Sequence, residues 1–141
     1  AALKAAKDVL LVTQLDLPCL RNVVRLLMSF NEIEGLKEKV KIIVNRVGLD
    51  AGQISLKRAQ ETMGKEIFWQ LPNDYRTMVE VRNNGIPLID HNAKAGITQA
   101  LKALADMLTK DNATREEEAA ATSKGTSWFK YFGMGKGKAT P

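Results

Sequence analysis

The sequence predicts an α/β fold: a parallel β-sheet with helices on both faces, followed by a disordered tail. Two observations predict it. Over residues 1–109, short apolar runs alternate with amphipathic segments of helical spacing, as in the strand–helix–strand units of parallel sheets. From residue 110 the sequence is polar and poor in large apolar side chains until a short aromatic segment near its end. Such a composition does not bury a core of its own.

The first predicted strand and helix lie between Asp8 and Gly35. Asp8–Gln14 is a nearly continuous apolar run, which is typical of a strand buried on both faces. Asp16 can cap the following helix, and Pro18 suits its first turn because an N–H there has no helical partner. Gly35 is the expected end of this helix. Apolar residues at helical spacing predict its buried face: Leu20, Val23, Val24, Leu27, Phe30 and Ile33.

Two more strands are predicted, at Val40–Val47 and Glu66–Leu71. Between them, Ser55 caps a short helix that Gly64 closes. Strand alternation gives the third strand two faces, with Ile67 and Trp69 on one and Phe68 and Leu71 on the other.

The remaining elements complete the alternation. Asp74 is expected to cap a helix that ends at Gly85. Ile86–Leu88 should be extended, because residues before a proline avoid helical angles. Ala93–Thr109 is predicted as the last amphipathic helix. We assign residues 1–109 to one folded region, 110–126 to a linker and 127–141 to an aromatic, basic tail. Because the first residue is not Met and three strands make a small sheet, we expect this to be part of a longer chain.

Composition narrows the function classes. The 141 residues are enough for one domain, and no run of eighteen apolar residues predicts a membrane span. Cys19 is the single cysteine and His91 the single histidine, so neither an internal disulfide nor a Cys/His metal site is predicted. The net charge of +5 is concentrated in the tail, which has four lysines and no acid from Lys124 onward.

Polar residues follow the second and third strands where each strand ends. Asn45 and Arg46 come at the end of one, and Leu71–Asp74 at the end of the next. The carboxyl ends of parallel strands lie side by side, at the edge where α/β proteins bind ligands. No phosphate loop of the form G-x-x-x-x-G-K-[ST] occurs in the sequence, although such a loop is the usual phosphate site of this kind of fold. The residues therefore predict the base-binding half of a nucleotide-binding domain.

Three motifs in this order, DVLLVTQLDLPCLRN, KIIVNRV and LPNDYRTMVEVRNNGIPL, resemble the C-terminal half of MinD/ParA-type ATPases, which have the P-loop NTPase fold. The sequence is most similar to the CpaE (TadZ) group, which acts in assembly and positioning of Flp/Tad-type pili. The resemblance implies an ATP-binding positioning or assembly protein that uses ATP and Mg²⁺. It also implies a homodimer of the complete protein, with pilus-assembly or polar-localisation proteins as partners.

The resemblance also implies specific site residues. The phosphate loop, the magnesium ligands and the catalytic residues of the family have no counterpart here, so this chain alone should be inactive. The adenine-binding edge does have counterparts: Asn45, Arg46, Pro72 and Asp74. An Asn side chain offers both a donor and an acceptor to a base. A strand-end Asn that satisfies a turn, and an Asp that only caps a helix, are the structural alternatives.

The tail suggests a second contact. Trp128, Phe129, Tyr131 and Phe132 lie between lysines, and such a segment can enter a membrane interface or dock on a protein partner. Three glycines, at positions 133, 135 and 137, weaken a helix there. We therefore expect a cytoplasmic protein. Peripheral contact of the tail with the inner face of the membrane is one option.

Two alternatives to an ATP-driven positioning protein stay open. The first is a non-catalytic scaffold of the same fold that binds pilus-assembly partners. The second is a DNA-partitioning ATPase of the ParA type, for which a basic surface would be needed. Its candidate residues are Lys37, Lys39, Lys41, Lys57 and Arg58. Because acidic residues lie among them, a solvated face is favoured and nucleic acid is not the expected partner.

Overall fold

The computed structural model describes residues 2–110, 113 and 114. The chain divides into two units, of which the first, Ala1–Lys102, is compact. The first unit holds a parallel three-stranded sheet in the order β1-β2-β3, with β1 at Val9–Thr13, β2 at Val40–Val47 and β3 at Ile67–Pro72. The helices are α1 (Ala2–Ala5), α2 (Leu17–Asn31), α3 (Leu36–Lys39), α4 (Leu56–Met63), α5 (Tyr75–Asn84), α6 (Leu88–His91) and α7 (residues 96–110).

One face of the sheet is covered by α2 and α4. The core on this side is apolar and almost fully buried, and it comprises Leu15, Leu20, Val23, Leu27, Val40, Ile42, Val44, Ala59 and Met63. The predicted caps of these helices are confirmed. The Asp16 carboxylate accepts a hydrogen bond from the Cys19 N–H at 2.8 Å, and the Ser55 hydroxyl accepts one from the Arg58 N–H at 3.3 Å. Each satisfies a backbone donor that the helix leaves without a partner.

The other face packs on the start of α7. Ile43 is buried on this side, and Trp69 lies beside it in the neighbouring strand. The indole N–H of Trp69 donates to the Ala100 carbonyl oxygen at 3.0 Å, which gives this half-buried polar group its partner. Helices therefore lie on both faces of a parallel sheet, and the predicted fold class is confirmed.

Two predictions about the strands were wrong in detail. Strand β1 is not buried on both faces: Leu10 is 40% and Val12 56% exposed, because β1 is an edge strand with a neighbour on one side only. In β3, Ile67 and Trp69 lie on opposite faces. Ile67 packs against the α2–α4 core, and a register shift between the partners of Ile67 and Trp69 breaks the simple alternation.

Two helix boundaries also differ from prediction. Helix α2 ends at Asn31, and Gly35 instead precedes α3 in a left-handed conformation, with φ +70°. Pro87 is extended as expected, but Leu88 already begins the short helix α6. Asp74 and Gly85 cap α5 at its two ends as predicted.

The amino ends of the strands carry a buried ion pair. The Lys41 ammonium lies 3.4 Å from a carboxylate oxygen of Asp8, and each side chain is 9% exposed. The same ammonium lies 4.4 Å from the centre of the Phe68 ring, a cation–π contact. Lys41 therefore does not belong to the exposed basic set considered for DNA. Among the residues that the structure describes, no helix is long and apolar enough to cross a membrane.

Candidate functional site

The carboxyl ends of β2 and β3, the first turns of α5 and the start of α7 surround a cleft of about 580 Å³. All four residues that the sequence analysis assigned to adenine line this cleft, although they come from two different strand ends: Asn45, Arg46, Pro72 and Asp74. The rest of the lining is mostly apolar: Leu71, Asn73, Tyr75, Met78, Val79, Val81, Arg82, Ile97 and Leu101. The structure thus brings the predicted residues together, while their contact with a nucleotide stays a prediction.

The end of β2 has an unusual backbone. Arg46 has φ +57°, a left-handed conformation that is costly for a residue with a Cβ atom. The Asn45 side-chain oxygen accepts a hydrogen bond from the Arg46 N–H at 2.9 Å. The Asn45 amide N–H groups make no hydrogen bond within the part of the chain that the structure describes. Asn45 therefore satisfies its own turn with its oxygen, and the residue also lines the cleft.

Gln53 supports this strand end from the loop that follows β2. Its side-chain oxygen accepts hydrogen bonds from Gly48 N–H at 2.9 Å and Leu49 N–H at 3.0 Å. Its amide N–H donates to the Arg46 carbonyl oxygen at 2.9 Å. The sequence analysis missed this residue. No recognised motif identifies it, because a glutamine can bond to so many kinds of backbone group that its position in a loop carries little information.

Two hydrogen bonds hold the loop at the carboxyl end of β3. The Asp74 carboxylate accepts from the Thr77 N–H at 3.1 Å, so its role as the cap of α5 is confirmed. The Asn73 N–H donates to the Val47 carbonyl oxygen at 2.9 Å. This bond joins the loop after β3 to the end of β2. A backbone hydrogen bond therefore connects the strand end that carries Asn45 and Arg46 to the loop that carries Pro72 and Asp74.

Helix α5 forms an outer wall of the cleft and packs only lightly. Thr77 is the buried residue of this helix, whereas Tyr75 is 63% and Met78 42% exposed. On the outside of the wall, Glu80 accepts from Arg76 Nε and contacts His91 Nε2, both at 3.1 Å. The hydrogen bond from Arg76, and secondly that from His91, lower the pKa of the Glu80 carboxyl group. The contact between Glu80 and His91 thus joins α5 to α6.

Cys19 and Asp16 lie together at the start of α2. The pKa of the Cys19 thiol is raised, chiefly by its hydrogen bond to Asp16 and then by burial, so the thiol is not activated as a nucleophile. Asp16 itself caps α2. Over residues 2–110, 113 and 114, no group of three or more His, Cys, Asp or Glu could hold a metal ion. The tail residues assigned to membrane or partner contact lie outside the described residues: Trp128, Phe129, Tyr131 and Phe132.

No protein-family model and no curated protein matches the sequence. Solved structures do match the fold. A ParA family ATPase from Chlorobium tepidum aligns with a TM-score of 0.63 and 24% identity over 70% of this chain and 40% of its own. The septum site-determining protein MinD from Pyrococcus horikoshii, complexed with Mg-ADP, aligns with a TM-score of 0.62 and 25% identity over 73% of this chain and 41% of its own.

A MinC:MinD cell division complex from Aquifex aeolicus also matches, with a TM-score of 0.65 and 22% identity over 76% of this chain and 44% of the matched one. The structural neighbours are thus MinD/ParA family ATPases, and this chain has their P-loop NTPase fold. It spans less than half the length of these three chains. The neighbours include a MinD bound to Mg-ADP and a MinD bound to a partner protein.

Proposed function

We propose that this chain is the base-binding part of an ATP-binding positioning or assembly protein of the MinD/ParA class, CpaE-like and acting in Flp/Tad-type pilus assembly. One observation carries the nucleotide assignment: four residues from two strand ends line a single cleft at the carboxyl edge of a parallel sheet. That edge is where ligands bind in this class of fold. The pilus assignment rests on the sequence resemblance alone.

Each residue has a defined part in this proposal. The Asn45 amide donates a hydrogen bond to a ring nitrogen of adenine, since its oxygen is already engaged by the Arg46 N–H. The Arg46 guanidinium stacks on the base. The loop of Pro72 and Asn73 borders the base, and Asp74 holds the first turn of α5 in place. The apolar residues of α5 and α7 exclude water from the base.

The residues of this chain do not fit the phosphates or Mg²⁺. The sequence has no phosphate loop, and the described residues contain no acidic cluster that could hold a metal. We propose that the complete gene product supplies the phosphate loop and the Mg²⁺ ligands from another part of its chain. We also propose that it works as a homodimer. Polar-localisation or pilus-assembly proteins are the proposed partners, with the aromatic tail as a further contact to them or to the inner face of the membrane.

A non-catalytic scaffold is the second candidate, because the phosphate-binding elements are not in this sequence. A DNA-partitioning role has less support, since Lys41 is buried against Asp8 and Lys39 donates to the Lys4 carbonyl oxygen. Binding of Mg-ATP by the complete gene product distinguishes the first two candidates. A scaffold would keep its partner binding without any affinity for Mg-ATP.

The sharpest test of the base site is Asn45→Asp. The aspartate keeps an oxygen for the Arg46 N–H but replaces the amide donor with a second acceptor, which repels a ring nitrogen. We expect binding of Mg-ATP by the complete gene product, measured by calorimetry, to weaken by about 1–3 kcal/mol. Asn22→Asp, on the exposed face of α2, is the matched control and should bind normally. Equal affinity of the two variants would refute the assignment of Asn45.

A further inference from the structure

Arg46 adopts a backbone conformation that its own side chain does not favour. Its φ is +57°, and the other residues with positive φ in the described part of the chain are glycines. Residues with a Cβ atom persist in this region only where surrounding contacts determine the backbone, and such residues cluster at ligand sites. Arg46 at the edge of the cleft therefore needs contacts that hold its backbone.

The Gln53 side chain supplies those contacts. It bonds both sides of the turn: its amide donates to the Arg46 carbonyl oxygen, and its oxygen accepts from the Gly48 and Leu49 N–H groups. These three bonds close the chain from Arg46 to Gln53 into a compact loop. Because both ends of the amide are used, the side chain has one orientation in which all its bonds are made.

Gln53 is itself held in place by the sheet. The N–H of the next residue, Ile54, donates to the Leu15 carbonyl oxygen at 3.0 Å, and Leu15 is a buried core residue. A continuous series of hydrogen bonds therefore runs from the end of β1, through Gln53, to Arg46 at the end of β2. The Asn73 N–H continues it to the loop after β3 through the Val47 carbonyl oxygen.

We infer that Gln53 is a positioning residue of the base site: its bond to the Arg46 carbonyl oxygen holds the backbone of Arg46, whose N–H fixes the Asn45 side chain and whose own side chain lines the cleft. Gln53 does not line that cleft, so it acts through its neighbours. The inference rests on the proposed nucleotide site and adds a residue that determines its affinity. Gln53→Ala removes all three bonds, whereas Gln53→Glu keeps an acceptor for Gly48 and Leu49 but turns a second oxygen towards the Arg46 carbonyl.

The chain offers a matched control in Gln60. Its side-chain oxygen accepts from the Ile67 N–H at 2.9 Å, so it too bonds backbone seven residues away in sequence, but at the amino end of β3. Gln60→Ala should lower stability without changing the cleft. We would measure Mg-ADP affinity of the complete gene product by calorimetry at a temperature where every variant is folded, and amide hydrogen exchange of Gly48 and Leu49 alongside.

We expect Gln53→Ala and Gln53→Glu each to weaken Mg-ADP binding about tenfold, as loss of supporting hydrogen bonds does at other sites. Gln60→Ala should bind as the unsubstituted protein does. Exchange at Gly48 and Leu49 should rise in Gln53→Ala and stay slow in Gln53→Glu. In an Arg46→Gly background, Gln53→Ala should cost less affinity than it does alone, because the side chain it positions is gone.

The outcomes separate the two claims. If the unsubstituted protein binds Mg-ADP and Gln53→Ala binds equally well, the inference is wrong and the proposed nucleotide site stands. If Gln53→Glu binds as the unsubstituted protein does, the bond to Arg46 is not the positioning contact, and the inference is again overturned. If the unsubstituted protein does not bind Mg-ADP, the proposed function fails and the inference fails with it.

Discussion

The two ends of the same three strands are built in opposite ways. At the amino ends, Asp8 and Lys41 form an ion pair with each side chain only 9% exposed, and the Phe68 ring covers the ammonium. At the carboxyl ends, Arg46 holds a left-handed conformation beside a cleft of about 580 Å³. Polar groups are paired and buried at the first end, and they face an open cleft at the second.

This difference separates stability from binding. Burying two charges together is tolerable only when each has its partner, so breaking the pair at the amino edge should cost stability. The carboxyl edge instead keeps a strained residue and a half-exposed helix, and both need support from the surrounding loops. Substitutions at the amino edge should change stability alone, and those at the carboxyl edge should change affinity as well.

The largest expected effect is on the amino edge. Lys41→Met should lower the free energy of unfolding by about 3 kcal/mol, because the buried Asp8 carboxylate loses its lysine. Urea denaturation followed by circular dichroism measures this change. Lys57→Met, at an exposed position of α4, is the control and should cost well under about 1 kcal/mol. Mg-ADP affinity of the folded Lys41→Met protein should be unchanged, and a large loss of affinity would break the separation between the two edges.

The sequence predicted more of the carboxyl edge than of the amino edge, and the reason is physical. At the carboxyl edge the strand ends and the cap of α5 were predicted, because strands that end in short polar segments such as Asn45-Arg46 and Asn73-Asp74 give local signals, and helix caps act over three residues. The Asp8–Lys41 pair was missed, and Lys41 was even considered for an exposed surface. The strand register that brings these two residues together is a tertiary property, which charge patterns along the chain do not contain.

Gln53 shows the same limit inside the site. The sequence predicted that the ends of β2 and β3 lie side by side, but it could not show that a glutamine in the loop after β2 bonds back to Arg46. The β3 faces were wrong because a register shift changes which side chains share a face. Elements that depend on local spacing were predictable, whereas contacts made by a loop or a bulge were not.

An intermediate effect sharpens the comparison at the carboxyl edge. Asp74→Ala removes the cap of α5 and should cost about 1 kcal/mol of stability. Ser55→Ala removes the cap of α4 and should cost about the same. Only Asp74→Ala should also weaken Mg-ADP binding, because Asp74 and the first turn of α5 line the cleft. Thermal unfolding and calorimetry measure the two quantities. Equal affinity in both variants would mean that Asp74 is a cap and nothing more.

The smallest expected effect lies on the outer wall of the cleft and depends on pH. The pKa of Glu80 is lowered, first by Arg76 and then by His91. A lowered carboxyl pKa stabilises the fold above the ordinary value of about 4.3, and this contribution is lost as the pH falls through the lowered pKa. The unfolding temperature of the Glu80→Gln variant should therefore fall less steeply as the pH is lowered than that of the unsubstituted protein. Because the pair is half exposed, salt should reduce the difference between the two curves. Identical curves would show that the bond between α5 and α6 does not hold this wall, and that the packing of α5 alone sets the shape of the cleft.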